Sequence, residues 1–244
     1  RLAGKKLMAT FGGRLEFFGI GGAKLDGNVE RFLRDAKFPY AIGYGLTETS
    51  PLVAGSNPTT TRFRAIGPTV INCEVKIHDP NPATGEGEIW AKGPNVMLGY
   101  YKNPEETKQV LTDDGWFKTG DLGVFDKDGW LSHKGRLKNM IVGANGENIY
   151  PEEIEARINN LPYVIESLVV EKQGKLHALI VPDFEKAELD GLSKENMQTE
   201  LEKNQKFLNG QMPNYMSIAR FEIQSEEFVK TPKKSIKRYL YTSK

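Results

Sequence analysis

Apolar and polar residues alternate in a recognisable order over the first part of the chain, up to about residue 60. Two short apolar runs, residues 14–20 and Tyr40–Tyr44, lead into glycine and predict buried strands that enter tight loops. Between them, residues 25–39 have the spacing of a short helix that must stop before its final proline. Strand, glycine loop, helix and strand in this order are typical of an α/β sheet, whose ligands lie at the carboxyl ends of the strands.

Residues 64–135 have a different pattern, with short alternating stretches separated by Pro, Asn, Asp and Gly. This pattern predicts a small antiparallel sheet or barrel. One helix interrupts it, with Asn103 as N-cap, Pro104 at the first helical position and Glu106 at the third. The predicted strands are CEVKIHD at 73–79, GEIWAKG at 87–93 and GWLSHKG at 129–135.

Helical spacing returns after about residue 138, together with further strands. Residues 167–171, 175–181 and 218–223 predict strands, with a turn at Gly174, ahead of a basic tail. Two amphipathic helices accompany them, which predicts a small α+β domain. Their apolar faces are Ile154, Ile158 and Leu161 in a helix that begins near Pro151, and Met197, Leu201 and Leu208 in a helix over about 193–208.

The predicted fold class is therefore α/β and α+β: the end of an α/β sheet, a small β-barrel-like part, and a separate α+β domain. We expect one domain over 1–136, with an α/β segment over about 1–60 and a β-rich segment over about 61–136, and a mobile second domain over 137–244. No internal repeat or low-complexity linker occurs in the sequence. The border near Arg136–Lys138 is interpreted as a hinge between packed units.

Composition narrows the function classes. The 244 residues carry a formal net charge of +1, so nothing in the charge balance points to nucleic acid as a partner. Cys73 is the single cysteine, so no internal disulfide can form, which fits a reducing compartment and a cytoplasmic location. No apolar run approaches the length of a membrane span, although peripheral contact with a lipid surface is compatible with the composition. The chain opens at Arg1 inside a pattern already under way, and we expect a fragment of a longer protein.

The stretch GYGLTETSP, residues 43–51, is the first with distinctive chemistry. Tyr44 beside glycines can lay its ring against a flat base, and the hydroxyl of Thr47 can donate to a phosphate oxygen. Glu48 can hold Mg²⁺, which prefers carboxylate and phosphate oxygens together. A polar turn capped by threonine would have the same residues, and residue chemistry alone does not separate the two interpretations.

Two later stretches add candidate ligand-binding residues. Asp121, between Gly120 and Leu122, could accept two ribose hydroxyls, although aspartate is also common in β-turns. Arg136 offers a planar set of donors suited to hydroxyl or phosphate oxygens. The alternative for Arg136 and the glycine-containing loop after it is a solvated charge cluster at an inter-domain turn.

Several other chemistries are not supported by the sequence. GIGGA at 19–23 lacks the spacing of a dinucleotide fingerprint, and no GxxxxGK[ST] phosphate loop occurs. His78, His133 and His177 are scattered and do not form a metal-ligand set. Cys73 lies in a predicted strand, where packing is a commoner role than nucleophilic chemistry.

Five motifs, in the order in which they occur, resemble the adenylate-forming superfamily of acyl-CoA synthetases. Their residues are most similar to those of bacterial long-chain fatty acid–CoA ligases. The resemblance extends over the whole chain. It implies activation of a carboxylic acid with MgATP to an acyl-adenylate, and then transfer of the acyl group to CoA as the small C-terminal domain rotates. The motifs are YGLTETSP at 44–51, GEIWAKGPNVMLGYYKNPEET at 87–107, GWFKTGDLG at 115–123, GRLKNMIV at 135–142 and GENIYPEEIE at 146–155.

The resemblance also implies roles for individual residues. Tyr44 would stack on adenine, Thr47 would contact phosphate, and Glu48 would hold Mg²⁺. Asp121 and Arg136 would hold the ribose. The remaining implied positions are Gly21, Gly22, Ala23 and Gly45 at the nucleotide, Lys138 as the hinge, and Gly143, Gly146 and Glu147 in a loop facing CoA.

The chain departs from the family pattern in two places. The family's Ser/Thr/Gly-rich phosphate loop is absent, so we expect the upstream part of the same protein to supply it, and this chain alone to make little or no acyl-CoA. The family's adenylation lysine aligns with Ser235 in the tail TPKKSIKRYLY. Lys234 or Lys237 could substitute because a lysine side chain is long and flexible, and Lys234 is our choice by proximity.

Two other functions compete with a fatty acid–CoA ligase. A related enzyme would load the acyl group onto a carrier protein, or would activate an aryl or amino acid. A nucleotide-binding module without catalysis is favoured only by Ser235 at the lysine position. Intact Glu48, Asp121 and Arg136 argue against that module, because a pure binder has no need of a metal ligand.

Overall fold

The computed structural model describes residues 2–232 and 234–242 and divides the chain into two units, Arg1–Leu137 and Lys138–Lys244. Each unit has its own sheets and its own buried apolar clusters. The predicted combination of α/β and α+β structure is confirmed. In the part of the chain that the structure describes, no helix has both the length and the apolar character needed to cross a membrane.

The first unit opens with a small sheet flanked by helices. Strand β1 pairs in parallel with β2, and β2 pairs antiparallel with β3. The predicted strand over 14–20 is shorter than expected, and α1 was not expected from the sequence. The elements are α1 Leu2–Thr10, β1 Phe18–Ile20, α2 Gly27–Asp35, β2 Tyr40–Gly45 and β3 Leu52–Gly55.

Helix α2 begins where the sequence supplies a cap. The Asp26 side chain accepts hydrogen bonds from the backbone N–H groups of Asn28 and Val29, at 2.8 and 3.1 Å. Glu30, in the first turn, is 1% exposed and accepts a hydrogen bond from the Tyr40 hydroxyl at 3.1 Å. Its carboxylate also accepts from the backbone N–H of Arg64. Helix α2 therefore fixes the segment that enters the β-rich part of the unit.

The β-rich part contains a four-stranded antiparallel sheet in the order β4-β5-β6-β7. Among the described residues this sheet is open and does not close into a barrel. The predicted cap of α3 is confirmed, since the Asn103 side chain accepts from the backbone N–H of Glu106 at 3.2 Å. Strand β6 was not predicted. The elements are β4 Glu74–His78, β5 Gly87–Lys92, α3 Pro104–Val110, β6 Phe117–Phe125 and β7 Leu131–Arg136.

The second unit packs helices on a three-stranded sheet in the order β10-β11-β12. Strands β10 and β11 form the predicted hairpin, whose turn places Gln173 and Gly174 at positive φ. Ile154 and Ile158 of α4 and the predicted apolar face of α6 are buried in one core, and Leu161, which lies beyond the end of α4, is partly buried against it. The elements are β8 Ile141–Val142, β9 Asn148–Ile149, α4 Pro151–Ile158, β10 Val164–Lys172, β11 Lys175–Pro182, α5 Phe184–Leu189, α6 Lys194–Asn209 and β12 Ile218–Ile223.

The chain after β12 covers a second apolar cluster of the same sheet. Phe228 is 3% exposed and packs with Leu168 and Val170 of β10. The Tyr241 ring meets the Phe228 ring edge-on with 5.1 Å between centroids. The tail is thus packed on this sheet through Phe228, Ile236 and Tyr241, whereas Lys234 and Ser235 are exposed.

Candidate functional site

A cavity of about 210 Å³ lies in the first unit. Residues that follow β1 and residues at the end of β2 line one part of it, and residues of β6 and β7 line another. This is the strand-end position at which α/β sheets bind ligands. Six predicted site residues line the cavity: Gly22, Ala23, Tyr44, Gly45, Asp121 and Arg136. Glu30, Arg64 and His133 also line it.

Tyr44 joins the two parts of the cavity. Its hydroxyl donates a hydrogen bond of 2.8 Å to Oδ2 of Asp121, 77 positions later in the chain. Its ring lies 6.0 Å from the His133 ring, centroid to centroid. Burial and the nearby carboxylate charge of Asp121 raise the pKa of Tyr44 well above the ordinary phenol value. The phenol therefore stays protonated and keeps the carboxylate in place.

Asp121 is the buried charge of the site, at 2% exposure. Nε of Arg136 lies 2.9 Å from Oδ1, and Nε2 of His133 lies 3.4 Å from the same atom. These are ion-pair distances, but no donor in the described residues points a well-directed hydrogen bond at Oδ1. A buried acceptor without a directed donor is suited to a ligand hydroxyl.

The β-turn interpretation of Asp121 is wrong. The residue lies inside the nine-residue strand β6, directly opposite Arg136 of β7 in the sheet register. Gly120 before it has φ of +70° and donates its backbone N–H to the Glu88 carboxylate at 3.0 Å. The Thr119 hydroxyl donates to the Ile89 carbonyl at 2.7 Å, so β5 keeps β6 extended at this point.

Close backbone packing explains one glycine of the site, and backbone conformation explains another. A Cβ at Gly45 would overlap the carbonyl oxygen of Pro51, so only glycine fits there. Gly22 has φ of +80°, which favours glycine on conformational grounds. Gly21, a predicted site residue, is not among the lining residues. The chain thus uses glycine to bring its backbone to the wall of the cavity.

Thr47 and Glu48 lie on a 3₁₀ turn, Thr47–Thr49, directly after Leu46, which lines the cavity. Thr47 is exposed and Glu48 is half-buried, and neither lines the cavity itself. The hydroxyl of Tyr100 donates to Oε1 of Glu48 at 3.0 Å. Burial, and then this hydrogen bond, raise the pKa of Tyr100 to about 12.

The donor set fits Mg²⁺ held jointly by protein and nucleotide. The described residues contain no cluster of three or more His, Cys, Asp or Glu side chains that could bind a metal by themselves. Mg²⁺ commonly takes one or two protein carboxylates and completes its shell with phosphate oxygens and water. Oε2 of Glu48 accepts no hydrogen bond from the described residues. The single half-buried carboxylate of Glu48 fits a metal ion that takes its other ligands from phosphate and water.

The other predicted site residues lie in the second unit. Lys138 is exposed, on a 3₁₀ turn Leu137–Asn139. Gly143, Gly146 and Glu147 form the connection of the β8–β9 hairpin, closed by the Gly143 N–H donating to the Glu147 carbonyl at 2.8 Å. Lys234 is exposed with φ of 59°, at the turn that leads from Thr231 to Ser235.

Two residues of the candidate site, His133 and Tyr100, were not identified from the sequence. His133 lines the cavity and approaches Asp121, but it was set aside as one of three scattered histidines. Tyr100 contacts Glu48, and its only sequence signal was its place in the long motif at 87–107. Both are brought to the site by sheet or loop packing across long stretches of chain.

The fold defines an α/β unit with a cavity at its strand ends, followed by a small α+β unit, and comparison with known proteins identifies the family. The model of the AMP-binding enzyme family matches residues 2–101, and that of the AMP-binding enzyme C-terminal domain matches residues 138–244. Together the two matches span most of the chain. The chain belongs to the AMP-binding enzyme family.

Individual relatives agree with this assignment. The chain is 36% identical to long-chain-fatty-acid–CoA ligase 1 of Saccharomyces cerevisiae over 186 residues, which is 73% of this chain and 27% of the relative. It is 37% identical over 206 residues to the chloroplastic long-chain-fatty-acid–[acyl-carrier-protein] ligase AEE15 of Arabidopsis thaliana, 77% of this chain and 28% of the relative. The chain therefore spans less than a third of the length of these curated relatives.

A solved structure supports the same assignment. O-succinylbenzoate coenzyme A synthetase from Bacillus subtilis, in complex with ATP and magnesium ion, aligns with a TM-score of 0.75 and 26% identity. The alignment covers 96% of this chain and 49% of that one. The fold seen here is thus similar to about half of a protein crystallised with ATP and magnesium.

Proposed function

We propose that this chain is the C-terminal part of an ATP-dependent long-chain fatty acid–CoA ligase. The complete protein would convert a fatty acid and ATP to acyl-adenylate and pyrophosphate. It would then pass the acyl group to the CoA thiol and release AMP. The observation that carries the proposal is the buried, incompletely satisfied Asp121 beside Tyr44 and Arg136 in the cavity. The relatives' printed activities and their greater length support the rest.

The cavity residues would bind the nucleoside part of ATP. Oδ1 of Asp121 is an acceptor for ribose hydroxyls, and Arg136, whose side chain is 53% exposed, can donate to the same sugar. The ring of Tyr44 would lie against adenine, with its hydroxyl occupied by Asp121. Gly22 and Ala23, and Gly21 beside them, would allow the nucleotide to approach the backbone.

The turn after β2 would handle the phosphates. An anionic carboxylate must attack an anionic α-phosphate, so fixed donors and positive charge are needed to offset the repulsion. Thr47 would donate its hydroxyl to a phosphate oxygen, and Glu48 would hold Mg²⁺. Bound there, Mg²⁺ supplies positive charge that stabilises the developing negative charge on the phosphoryl oxygens.

The second unit would contribute the moving parts. Lys138 would be the hinge residue, and the hairpin connection with Gly143, Gly146 and Glu147 would face CoA. Lys234 would be the lysine of the adenylation step, since the aligned position carries Ser235. Lys234→Ala in the complete protein is expected to slow adenylation, and an unchanged adenylation rate would contradict this assignment.

The test is carboxylate-dependent exchange between ATP and pyrophosphate by the complete protein, with a panel of fatty, aryl and amino acids. We expect exchange with long fatty acids, and a loss of that exchange in Asp121→Ala. Asp128→Ala is the matched control, because Asp128 is exposed and makes only a surface ion pair with Arg62. Exchange with another acid class would contradict the substrate assignment, and no exchange with any acid would contradict the catalytic proposal.

Two observations keep second candidates in view. The similarity to an acyl-carrier-protein ligase favours transfer to a carrier protein. Adding CoA or carrier protein to the preformed adenylate, and measuring which one receives the acyl group, identifies the acceptor. Ser235 at the lysine position favours a nucleotide-binding module without catalysis. Such a module would bind nucleotide without the Mg²⁺ dependence that Glu48 implies.

A further inference from the structure

The segment 95–100 packs against the turn that carries Glu48, although Tyr100 follows Glu48 by 52 positions in the chain. The Met97 N–H donates to the Glu48 carbonyl at 2.8 Å. The Asn95 side-chain amide donates to the carbonyls of Thr49 and Leu52, at 2.9 and 3.0 Å. Two of these three hydrogen bonds therefore hold the backbone of the Thr47–Thr49 turn, and the third holds the start of β3 at Leu52.

A fourth hydrogen bond from the same segment reaches the Glu48 side chain. The Tyr100 hydroxyl donates to Oε1 at 3.0 Å, and Oε2 accepts no hydrogen bond from the described residues. A half-exposed glutamate has several rotamers, and a fixed donor on one oxygen selects among them. Outer partners of this kind orient metal-binding carboxylates.

Tyr100 is itself held by helix α3. Its backbone N–H donates to Oγ1 of Thr107 at 2.9 Å, and that hydroxyl donates to the Asn103 carbonyl at 2.9 Å. Gly99 has φ of +148°, and a Cβ there would come within 2.9 Å of Thr107 Cγ2. These contacts hold the backbone of Tyr100 against α3.

We propose that Tyr100 is a positioning residue that holds Glu48 in the orientation needed to bind Mg²⁺ with the nucleotide. The proposal rests on the proposed function in one respect, namely that Glu48 is the metal ligand. Tyr100 acts through Glu48 and does not touch nucleotide or acid. Its loss changes the Mg²⁺ requirement of the protein more than its turnover once Mg²⁺ is saturating.

The experiment measures ATP binding by isothermal titration calorimetry over a series of Mg²⁺ concentrations, with the complete protein and without any acid substrate. We expect Tyr100→Phe to raise the Mg²⁺ concentration for half-maximal ATP binding about tenfold, the scale seen when outer partners of metal ligands are removed. Tyr101→Phe is the matched control, since the Tyr101 side chain is 88% exposed and adjacent in sequence, and it should leave the value unchanged.

A double-variant comparison separates positioning from general damage. In a Glu48→Gln background, adding Tyr100→Phe should cause no further rise, because both changes act on one carboxylate. Thr107→Val, which removes the hydroxyl that supports Tyr100, should raise the Mg²⁺ requirement by less than Tyr100→Phe. Unchanged Mg²⁺ dependence in Tyr100→Phe, or a further rise in the Glu48→Gln background, would overturn the proposal.

The outcome for Tyr100 is independent of the outcome for catalysis. If the wild-type protein exchanges pyrophosphate with no acid, the ligase proposal fails, yet the Mg²⁺ dependence of ATP binding still tests Tyr100. If wild-type ATP binding does not depend on Mg²⁺, Glu48 is not the ligand and the Tyr100 proposal falls. In exchange assays, saturating Mg²⁺ should restore kcat of Tyr100→Phe, which a merely structural defect would not allow.

Discussion

Two buried carboxylates in this chain each face an arginine, and the chain uses them in opposite ways. In the first unit, Asp121 is 2% exposed, and its partner Arg136 has a side chain that is 53% exposed. In the second unit, Glu155 is 8% exposed, and the side chain of its partner Arg238 is only 17% exposed. The two carboxylates are thus buried to a similar degree, whereas the arginine is exposed to solvent only in the first pair.

The hydrogen bonding shows what the difference means. Nη1 of Arg238 donates to both oxygens of Glu155, at 2.7 and 2.9 Å, and the Val169 N–H adds a bond of 2.7 Å. Nη2 of Arg238 donates to the Val169 carbonyl at 2.8 Å, so the pair also ties the tail to β10. Asp121 keeps one oxygen without a directed donor beside a cavity. A closed pair anchors structure, and an open pair is available to a ligand.

Breaking the closed pair should have the largest effect on stability. Arg238→Ala leaves the buried carboxylate of Glu155 without its charge partner, and we expect a loss of about 3 kcal/mol in the free energy of unfolding of the second unit. Urea unfolding followed by circular dichroism measures it. Arg220→Ala is the matched control because Arg220 is exposed on β12. All three tryptophans, Trp90, Trp116 and Trp130, lie in the first unit, so their fluorescence transition should not move.

The pH dependence of this loss gives its origin. Burial raises the pKa of Glu155 above the ordinary carboxyl value, and Arg238 opposes that rise. A raised pKa of an acid means that its contribution to stability is present at low pH and is lost as pH rises through the folded-state pKa. Removing Arg238 raises the pKa further. The deficit of Arg238→Ala should therefore shrink as the pH falls from neutral through the folded-state pKa of Glu155, by ~1.4 kcal/mol per added pKa unit. A deficit that does not change with pH would assign the loss to packing instead.

The open pair should govern ligand binding and not stability. We expect Asp121→Asn to weaken ATP binding to the complete protein by about 2 kcal/mol, or roughly thirtyfold, since the charged acceptor that we propose for the ribose hydroxyls is lost. Glu155→Gln is the comparison variant and should leave ATP affinity unchanged. Calorimetric titration of both variants at saturating Mg²⁺ measures the two values. Equal losses in the two variants would remove the distinction between an open and a closed pair.

Local spacing was enough to predict the helical faces and the hairpin of the second unit. Ile154 and Met197 are both fully buried, as expected from apolar residues that recur at helical intervals. The turn at Gly174 joins two strands in register because left-handed residues suit tight hairpins. These features depend on neighbours in sequence, so a single sequence contains the information.

The shape of the candidate site depends on distant residues, and the sequence was insufficient there. Thr119 and Gly120 look like turn residues, yet their hydrogen bonds to Ile89 and Glu88 keep β6 extended through Asp121. Tyr100 was visible as part of a motif, but its contact with Glu48 follows from loop packing. The motifs indicated candidate site residues, whereas strand register and packing determine which of them touch.

The smallest effect in this comparison should come from the phenol that supports the open pair. Tyr44→Phe removes the 2.8 Å hydrogen bond to Oδ2 of Asp121 but retains a ring of nearly the same size. Because the ring that we propose to lie against adenine is retained, we expect ATP binding to weaken by only about 1 kcal/mol, or roughly fivefold, through looser orientation of Asp121. The double variant Tyr44→Phe with Asp121→Asn should be no weaker than Asp121→Asn alone, because the phenol acts through that carboxylate. Additive losses would mean that the Tyr44 hydroxyl contacts the nucleotide directly. Tyr44 would then not act by orienting Asp121 in the open pair of Asp121 and Arg136.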